Sequence, residues 1–328
     1  MINNPFHFTL ELRPRWMRIT ALTILPGLVV SLILHHPQWL VASFLAMAGI
    51  LPYSTTHSSR SLAFLNIVVI CLLAYVVKGL FIHQQWLLLM GLLVIMAIVL
   101  GYIDNSNPHF RNLSTWMIIG CVYGGVKLNE AGVSWQLFTQ ILLLAIASVV
   151  LVLLVIKVDE LPPEPKFIGL RHPQFIFTFK YVLPIIITTT LWSCLHIQDP
   201  EWFIWSSLTV VLTQYDTLYT KYLQRIAGVA IGAGAGIIVS LFLPHSIVIT
   251  YICFLLTSFS LRSFKDYLPA HILRCFVVVV FAGNVAHDSV DAAFWRFSNV
   301  IGGGTIGFIC TLLLMKLQML QVRLRSRA

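Results

Sequence analysis

The sequence predicts an all-α polytopic membrane protein with 10–12 transmembrane helices, organised as two parallel six-helix repeats. Composition is the first observation behind this fold class: 58% of the 328 residues are hydrophobic and 10% are charged, whereas a soluble domain has about 25% charged residues. The second is a mean hydropathy of +0.88. The third is that the apolar residues gather into twelve stretches. Together these observations exclude a soluble enzyme, a disordered chain and a disulfide-stapled secreted domain.

Each apolar stretch is a candidate for one membrane crossing, because a helix needs about 20 apolar residues to cross the hydrocarbon core. In chain order, the stretches cover residues 17–35, 38–53, 61–82, 86–103, 111–127, 135–157, 175–195, 201–216, 221–243, 246–264, 268–286 and 293–316. The second, fifth and eighth are short, so each tilts little, thins the bilayer or enters it without crossing. The first contains Pro26 and ends without a small-residue cleavage site, so we expect a retained span rather than a signal peptide.

Lysine and arginine residues set the expected orientation. If both chain ends are cytoplasmic and all twelve stretches cross, eighteen of the 21 Lys and Arg residues fall on the cytoplasmic side. The three that fall outside are Lys78, Lys127 and Arg296. Cytoplasmic loops carry such an excess in membrane proteins, so the distribution predicts cytoplasmic N- and C-termini. It also accounts for the net charge of +9 without a nucleic-acid partner.

The two halves of the chain resemble each other, which predicts an internal repeat. The motif HPQWL at 36–40 opens the second stretch, and DPEWF at 199–203 opens the eighth, 163 residues later. Six spans per half would give both halves the same direction in the membrane, and transporters with parallel repeats often bind substrate between the halves, near the bilayer midplane. The expected parts are a first repeat at 1–157, a proline-rich cytoplasmic linker at 158–174 and a second repeat at 175–328.

No sequence motif indicates catalysis or a cofactor. The sequence has no P-loop, no HExxH or GxSxG motif and no nucleotide-binding fingerprint, and its six cysteines form no CxxC pair. We therefore expect neither an enzyme nor a metal site, and we interpret the cysteines as small buried hydrophobic residues. Glycines that recur every fourth residue predict close helix packing, within one chain or in a homodimer. They are Gly228, Gly232, Gly236, Gly303 and Gly307.

Polar residues near membrane depth are the candidates for function, because an ionised side chain at the centre of a membrane helix costs about 2.5–3.5 kcal/mol. Arg225 and Arg274 lie a few residues inside their stretches, and a guanidinium can hold a carboxylate through two parallel hydrogen bonds. The alternative is that both are interfacial charges that reach toward water along their apolar stems. We expect Gln214 and Tyr215 to join the two arginines in binding substrate.

Two further groups belong to the candidate site. Asp216, Asp266 and His271 are predicted to carry a coupling proton, because partial burial shifts the pKa of such side chains toward neutral pH. Trp202 and Trp205 share one helix face at i and i+3 and can stack on an aromatic substrate. The alternative for both tryptophans is the aromatic belt at the membrane interface.

Two consecutive motifs in the second half carry a family resemblance. Residues 202–216 read WFIWSSLTVVLTQYD, and 222–232 read YLQRIAGVAIG. This pattern resembles the fusaric acid resistance and aromatic acid exporter superfamily, in which a W…LTVVL…Q helix is followed by a short loop and a QRI.G…G helix. Arg296 with Ile-Gly-Gly at 301–303 is similar to the family's closing R…IG helix. The first half offers only Ser-Arg-Ser at 59–61, so we expect the site in the second half.

The resemblance implies efflux of aromatic or other amphipathic carboxylates across a bacterial inner membrane, driven by the proton-motive force. It also implies a periplasmic membrane-fusion adaptor as a partner, beside the organic-acid substrate and the lipid bilayer. Two alternatives stay open. One is a passive anion channel, since plant malate channels share a related six-span fold, and the other is a non-transporting membrane subunit of an export complex. Asp216 and Asp266 favour proton coupling over the channel.

Overall fold

The structure of the protein is a computed structural model, and all named secondary-structure elements of the described residues are helical. The described residues are 9–52, 60–106, 113–156, 179–211, 215–286 and 288–325. Within these ranges the regular elements are twelve α-helices and one 3-10 turn at Pro37–Trp39. One isolated antiparallel bridge joins Leu12 to Phe264. The predicted all-α class is confirmed for this part of the chain.

The helices follow the apolar stretches in number and order. They are α1 (Pro14–Leu34), α2 (Leu40–Ile50), α3 (Arg60–Ile82), α4 (Trp86–Ser106), α5 (Leu113–Glu130), α6 (Trp135–Val155), α7 (Val182–Leu195), α8 (Pro200–Val211), α9 (Tyr215–Ser240), α10 (Ile247–Ser260), α11 (Tyr267–Ala286) and α12 (Ser289–Arg325). Six described helices thus precede the predicted linker at 158–174, which itself lies outside the described residues, and six follow it.

Seven helices in the described ranges are long and apolar enough to cross a membrane: α1, α3, α4, α6, α9, α11 and α12. Three shorter apolar helices lie at Pro37–Ile50, Val182–Leu195 and Ile247–Ser260. The chain is thus a multi-pass helical membrane protein. The number of crossings and the parallel arrangement of two repeats stay predictions.

Two helices extend beyond the apolar stretches that predict them. α9 begins at Tyr215 rather than at residue 221, and α12 covers Ser289–Arg325 rather than 293–316. Hydropathy marks the apolar part of a helix, whereas the backbone hydrogen bonds continue into its polar ends. The predicted bounds of these two helices were therefore too narrow.

The described helices form two compact units. Unit 1 comprises residues 1–47, 134–157 and 214–301. In this unit α9 packs along α11, α11 also packs on α10, and α1 packs on α6 and α10. A buried apolar cluster joins α9, α11 and the start of α12 through Val229, Ala233, Cys275, Val279, Ala293 and Val300.

Unit 2 comprises residues 48–133, 158–213 and 302–328. In this unit α3 packs along α5, α4 packs on α3, α5 and α7, and α8 packs on α5 and α7. Gly120 allows α5 to approach α3, because a Cβ there would lie 3.1 Å from Ile70 Cγ2.

Corresponding helix pairs recur in the two units. In unit 1, α11 packs on α9 and α10, and α1 packs on α10; these are the fifth, third and fourth helices of the second half and the first helix of the first half. In unit 2, α5 packs on α3 and α4, and α7 packs on α4, so the same pairs occur with the halves exchanged. Each compact unit therefore draws helices from both sequence halves. The repeat boundaries at 1–157 and 175–328 describe the sequence and stay a prediction.

Candidate functional site

Glycines bring α9 and α11 of unit 1 into close contact. Gly228, Gly232 and Gly236 lie on the face of α9 that meets α11. A Cβ on Gly228 would lie 2.7 Å from the ring of His271, and a Cβ on Gly236 would lie 2.8 Å from the Phe276 carbonyl oxygen. The two helices approach this closely because the stripe has no side chains, as small-residue stripes allow in membrane proteins.

The close approach brings polar side chains of the two helices together. Arg225 precedes Gly228 by about one turn, and its Nη1 donates a hydrogen bond to Tyr267 Oη at 3.0 Å. The rings of Tyr267 and His271 stack with centroids 5.3 Å apart. His271 is 1% exposed, and its Nε2 lies 3.7 Å from Cys275 Sγ. The glycine stripe and these polar contacts therefore share one helix interface.

Arg274 connects α11 to the end of α10. Its Nε donates to Ser260 Oγ at 3.1 Å, and its Nη2 donates to the Ser260 carbonyl oxygen at 2.8 Å. Ser260 is the last residue of α10, where carbonyl groups lack helical partners and the helix dipole is negative. A guanidinium at this position satisfies a carbonyl group and is favoured by the dipole.

Arg296 adds a third buried arginine. It lies about two turns inside α12, and Arg225, Arg274 and Arg296 are 5%, 8% and 4% exposed. The charges of all three act on both Tyr267 and His271. We name these five residues the basic cluster: Arg225, Tyr267, His271, Arg274 and Arg296. Positive charges gathered in this way repel one another and attract an anion.

The segment before α1 is bound to the loop between α10 and α11. The Nζ of Lys265 donates to the carboxylate of Glu11 at 2.6 Å. This hydrogen bond and the negative charge of Glu11 raise the pKa of Lys265 above its usual value. Asp266 accepts hydrogen bonds from the backbone N–H and the hydroxyl of Thr9, at 2.6 and 2.9 Å. Asp266 therefore anchors the N-terminal segment.

The predicted site residues fall into separate places. Three of them meet in the basic cluster: Arg225, His271 and Arg274. Asp266 instead binds Thr9, as described above. Gln214 and the side chains of Tyr215 and Asp216 lie outside the described part of the chain.

The two predicted stacking tryptophans lie in unit 2 and stack on each other. The ring centroids of Trp202 and Trp205 are 5.0 Å apart, with an angle of 13° between the planes. Trp116 and Tyr123 contact this pair edge-on, with centroid distances of 5.9 Å to Trp205 and 5.5 Å to Trp202. Trp202 and Trp205 are 8% and 5% exposed. One face of each indole is thus covered by the other.

Gly303 and Gly307 lie where α12 meets α8 in unit 2. A Cβ on Gly303 would contact the Phe203 carbonyl oxygen, and one on Gly307 would contact the Ser207 carbonyl oxygen. The five glycines that the sequence indicates therefore pack against helices of their own chain.

Two members of the basic cluster were not predicted. Arg296 counts among the predicted outer charges, near the start of a span predicted from residue 293, and is not a predicted site residue. In the structure α12 begins at Ser289, and Arg296 is buried. Tyr267 precedes its predicted span by one residue. Its signal is the spacing to His271 and Arg274, four and seven residues later, which places all three on one face of a helix.

Comparison with known families places the basic cluster inside a family segment. Residues 185–310 match the family model described as "Fusaric acid resistance protein-like". This match confirms the resemblance seen at 202–232 and covers less than half of the chain. No curated protein and no solved structure matches the chain. The protein is therefore a multi-pass helical membrane protein with a fusaric acid resistance protein-like segment, and that segment contains the whole basic cluster.

Proposed function

We propose that the protein exports small organic acids across a bacterial inner membrane and that the basic cluster binds the substrate carboxylate. The family match over residues 185–310 supports the transport part of this proposal. The observation that carries the binding part is that three buried arginines inside the matched segment, Arg225, Arg274 and Arg296, all act through their charges on Tyr267 and His271.

The chemistry of the basic cluster suits a carboxylate. Guanidinium groups stay charged in proteins and offer a planar fork of N–H donors that matches the two oxygens of a carboxylate. A bound anion would also offset the repulsion among Arg225, Arg274 and Arg296. From the family resemblance we propose that the substrate is an aromatic or otherwise amphipathic acid.

The proton-motive force is the proposed energy source. Its electrical part acts directly on an anion, because an inside-negative potential favours outward movement by about 2.3 kcal/mol per charge for each 100 mV. Of the predicted proton carriers whose side chains the structure describes, His271 lies in the basic cluster, so we assign the coupling proton to it. The three arginine charges oppose protonation of His271, and we propose that a bound substrate carboxylate offsets them. A periplasmic membrane-fusion adaptor is the proposed partner on the outer side.

A passive anion channel is the second candidate. The observation that favours it is that the Asp266 carboxylate, a predicted proton carrier, binds Thr9. A channel would move organic anions along the membrane potential and would need no proton carrier.

The experiment that tests the proposal measures efflux of an aromatic carboxylate such as benzoate from cells or vesicles. Arg225→Ala and Arg274→Ala are each expected to lower the efflux rate about tenfold or more, because a hydrogen bond to a charged group contributes about 1.5–3 kcal/mol. Arg18→Ala is the matched control, since Arg18 is an exposed arginine of unit 1. Wild-type efflux by either cluster variant, at equal protein levels in the membrane, would contradict the assigned site.

A further inference from the structure

Unit 2 buries a carboxylate that the proposed anion site does not use. Glu201 lies in the first turn of α8 and is 2% exposed. The Nζ of Lys127, on α5, lies 3.0 Å from Glu201 Oε1. The same Nζ lies 2.9 Å from Glu130 Oε2. One ammonium thus serves two carboxylates, of which Glu201 is fully shielded and Glu130 is half exposed.

The second oxygen of Glu201 is poorly compensated. Among the described residues, Glu201 Oε2 is buried and accepts no hydrogen bond. One oxygen of each of Glu130, Asp199 and Glu201 lies within 4.8 Å of the other two. Burial and neighbouring negative charges both favour the neutral form of a carboxylic acid, whereas an adjacent ammonium favours the charged form. Burial and the nearby carboxylates therefore favour the neutral form of Glu201, whereas the Lys127 ammonium favours its charged form.

The surroundings of Glu201 connect it to solvent on one side. Glu130 and Asp199 are exposed, so water reaches the carboxylates next to Glu201. On the other side, Tyr123 lies under Lys127, with 5.6 Å from Nζ to the ring centroid, and its ring contacts the stacked indoles. The described part of α7 carries no Asp, Glu, Lys or Arg, and α12 meets α8 through Gly303 and Gly307. Among the described residues, the titratable groups that face Glu201 are thus Lys127, Glu130, Asp199 and Tyr123.

We propose that Glu201 exchanges a proton with solvent through the exposed carboxylates of Glu130 and Asp199, and that Lys127 is its counterion. Protonation forms one O–H bond on the Glu201 carboxylate with a proton from hydronium at the surface, which leaves a water molecule. Lys127 stays an ammonium and keeps its contact with Glu130. The site gains one positive charge, and the buried ion pair between Glu201 and Lys127 is replaced by a neutral acid beside an ammonium that Glu130 holds.

This proton exchange is a property of unit 2 and does not require the proposed transport. Its use in coupling rests on the proposed function, in which it would supply a proton site separate from His271. Two measurements test the proton exchange and its use in coupling separately. Infrared difference spectroscopy on the purified protein reads protonation, and efflux assays read coupling.

In the infrared experiment, wild-type protein is titrated from neutral to mildly acidic pH, and the carbonyl stretch of a buried carboxylic acid is followed. We expect this band to appear with wild-type protein and with Glu130→Gln, and to be lost in Glu201→Gln. Glu201→Asp should restore a band, because it keeps the ionisable group. A band that is absent from wild type, or that persists unchanged in Glu201→Gln, overturns the proposal.

A counterion variant tests the same assignment when Glu201→Gln does not accumulate in the membrane. Lys127→Met removes the ammonium and keeps the length of the apolar stem. We expect the midpoint of the band to rise by about one to three pH units, the usual effect of a charge at this distance. An unchanged midpoint would assign the titration to another carboxylate and overturn the role of Lys127. If the band behaves as expected while efflux keeps its normal pH dependence in Glu201→Gln, proton exchange stands and coupling through Glu201 fails.

Discussion

The hydroxyl of Tyr267 positions the guanidinium of Arg225, whose Nη1 donates to it at 3.0 Å. The ring of the same tyrosine stacks on His271. One side chain thus contacts both Arg225, which we propose binds the substrate carboxylate, and His271, the proposed proton carrier. Lys221 approaches the tyrosine too, with its Nζ 5.3 Å from the ring centroid. Tyr267 is therefore the residue whose loss should disturb the basic cluster without removing any charge.

Tyr267→Phe is expected to raise the KM for an aromatic carboxylate about tenfold and to leave the protein level in the membrane unchanged. The reason is that the charged Arg225 guanidinium loses the hydroxyl that accepts its hydrogen bond, a contribution of about 1.5–3 kcal/mol, while the ring that stacks on His271 stays. Efflux from vesicles at varied substrate concentration measures the effect. Tyr219→Phe is the control, because Tyr219 is 62% exposed on the same helix as Arg225. Equal KM values for both variants would argue against a positioning role.

His271→Gln is expected to flatten the pH dependence of efflux. Glutamine retains hydrogen-bonding capacity in the cluster but has no titratable group, so efflux should lose its response to an imposed pH gradient. Asp266→Asn is the comparison variant, since Asp266 binds Thr9. We expect Asp266→Asn to keep the wild-type pH profile and to loosen the N-terminal segment. A flattened profile for Asp266→Asn with a normal profile for His271→Gln would reverse the assignment.

At the scale of helices, the contact between α9 and α11 is the element on which the basic cluster depends. Arg225 and Gly228 lie on α9 and face Tyr267 and His271 on α11. Any side chain added to the glycine stripe must separate the two helices. Separation would lengthen the contact between Arg225 and Tyr267, so packing and binding are linked through one interface.

Gly232→Ala is expected to destabilise the protein by about 1–3 kcal/mol, the usual cost of overpacking. The added Cβ would lie 2.9 Å from Cys275 Cβ and 3.0 Å from the Phe276 backbone nitrogen, and the backbone of α11 cannot move aside alone. Thermal unfolding in detergent should show a lower Tm. Gly234→Ala is the matched control, because a Cβ there meets nothing within 4 Å. The same Tm for both variants would show that the interface tolerates a methyl group.

Hydropathy and glycine spacing predict much of the contact between α9 and α11 from the sequence. Twelve apolar stretches correspond to the twelve helices of the described residues, and the motifs at 202–216 and 222–232 indicate the family segment. Helix ends are predicted less well, because polar residues such as those of Tyr215–Gln224 continue α9 beyond its apolar part. Arg296 is an example, since α12 starts four residues before the predicted span and Arg296 lies about two turns inside the helix.

Long-range partners are the part that the sequence does not predict. Lys127 and Glu201 belong to different halves of the chain and meet only because α5 packs on α8. Which helices belong to each compact unit depends in the same way on contacts between helices that are distant in the chain. Periodicity gives the apolar face of a helix but does not give the helix that covers it.

At the scale of the whole molecule, the question is which gradient drives the anion. An inside-negative potential alone favours export by about 2.3 kcal/mol per charge for each 100 mV. A transporter that also binds a proton should respond to a pH gradient as well. The proposed exporter and the passive channel therefore differ in one measurable property of the complete protein.

Reconstituted vesicles that are loaded with a labelled aromatic carboxylate are expected to release it faster under an imposed pH gradient with the potential clamped at zero. They should also release it faster under an imposed potential without a pH gradient. Empty vesicles and the Arg274→Ala variant provide the baseline. Release that follows the potential and ignores the pH gradient would support the channel in place of the coupled exporter.

The bonds between the N-terminal segment and the loop before α11 have a practical consequence. Backbone hydrogen bonds run from Arg13 N–H to Ser263 O and from Lys265 N–H to Glu11 O, at 2.7 and 2.9 Å. Leu10 lies beside this pairing and is 72% exposed. A fluorophore attached at position 10 would thus be held next to a loop more than 250 residues away in the chain. Changes in its emission during turnover would report whether the segment and the loop separate.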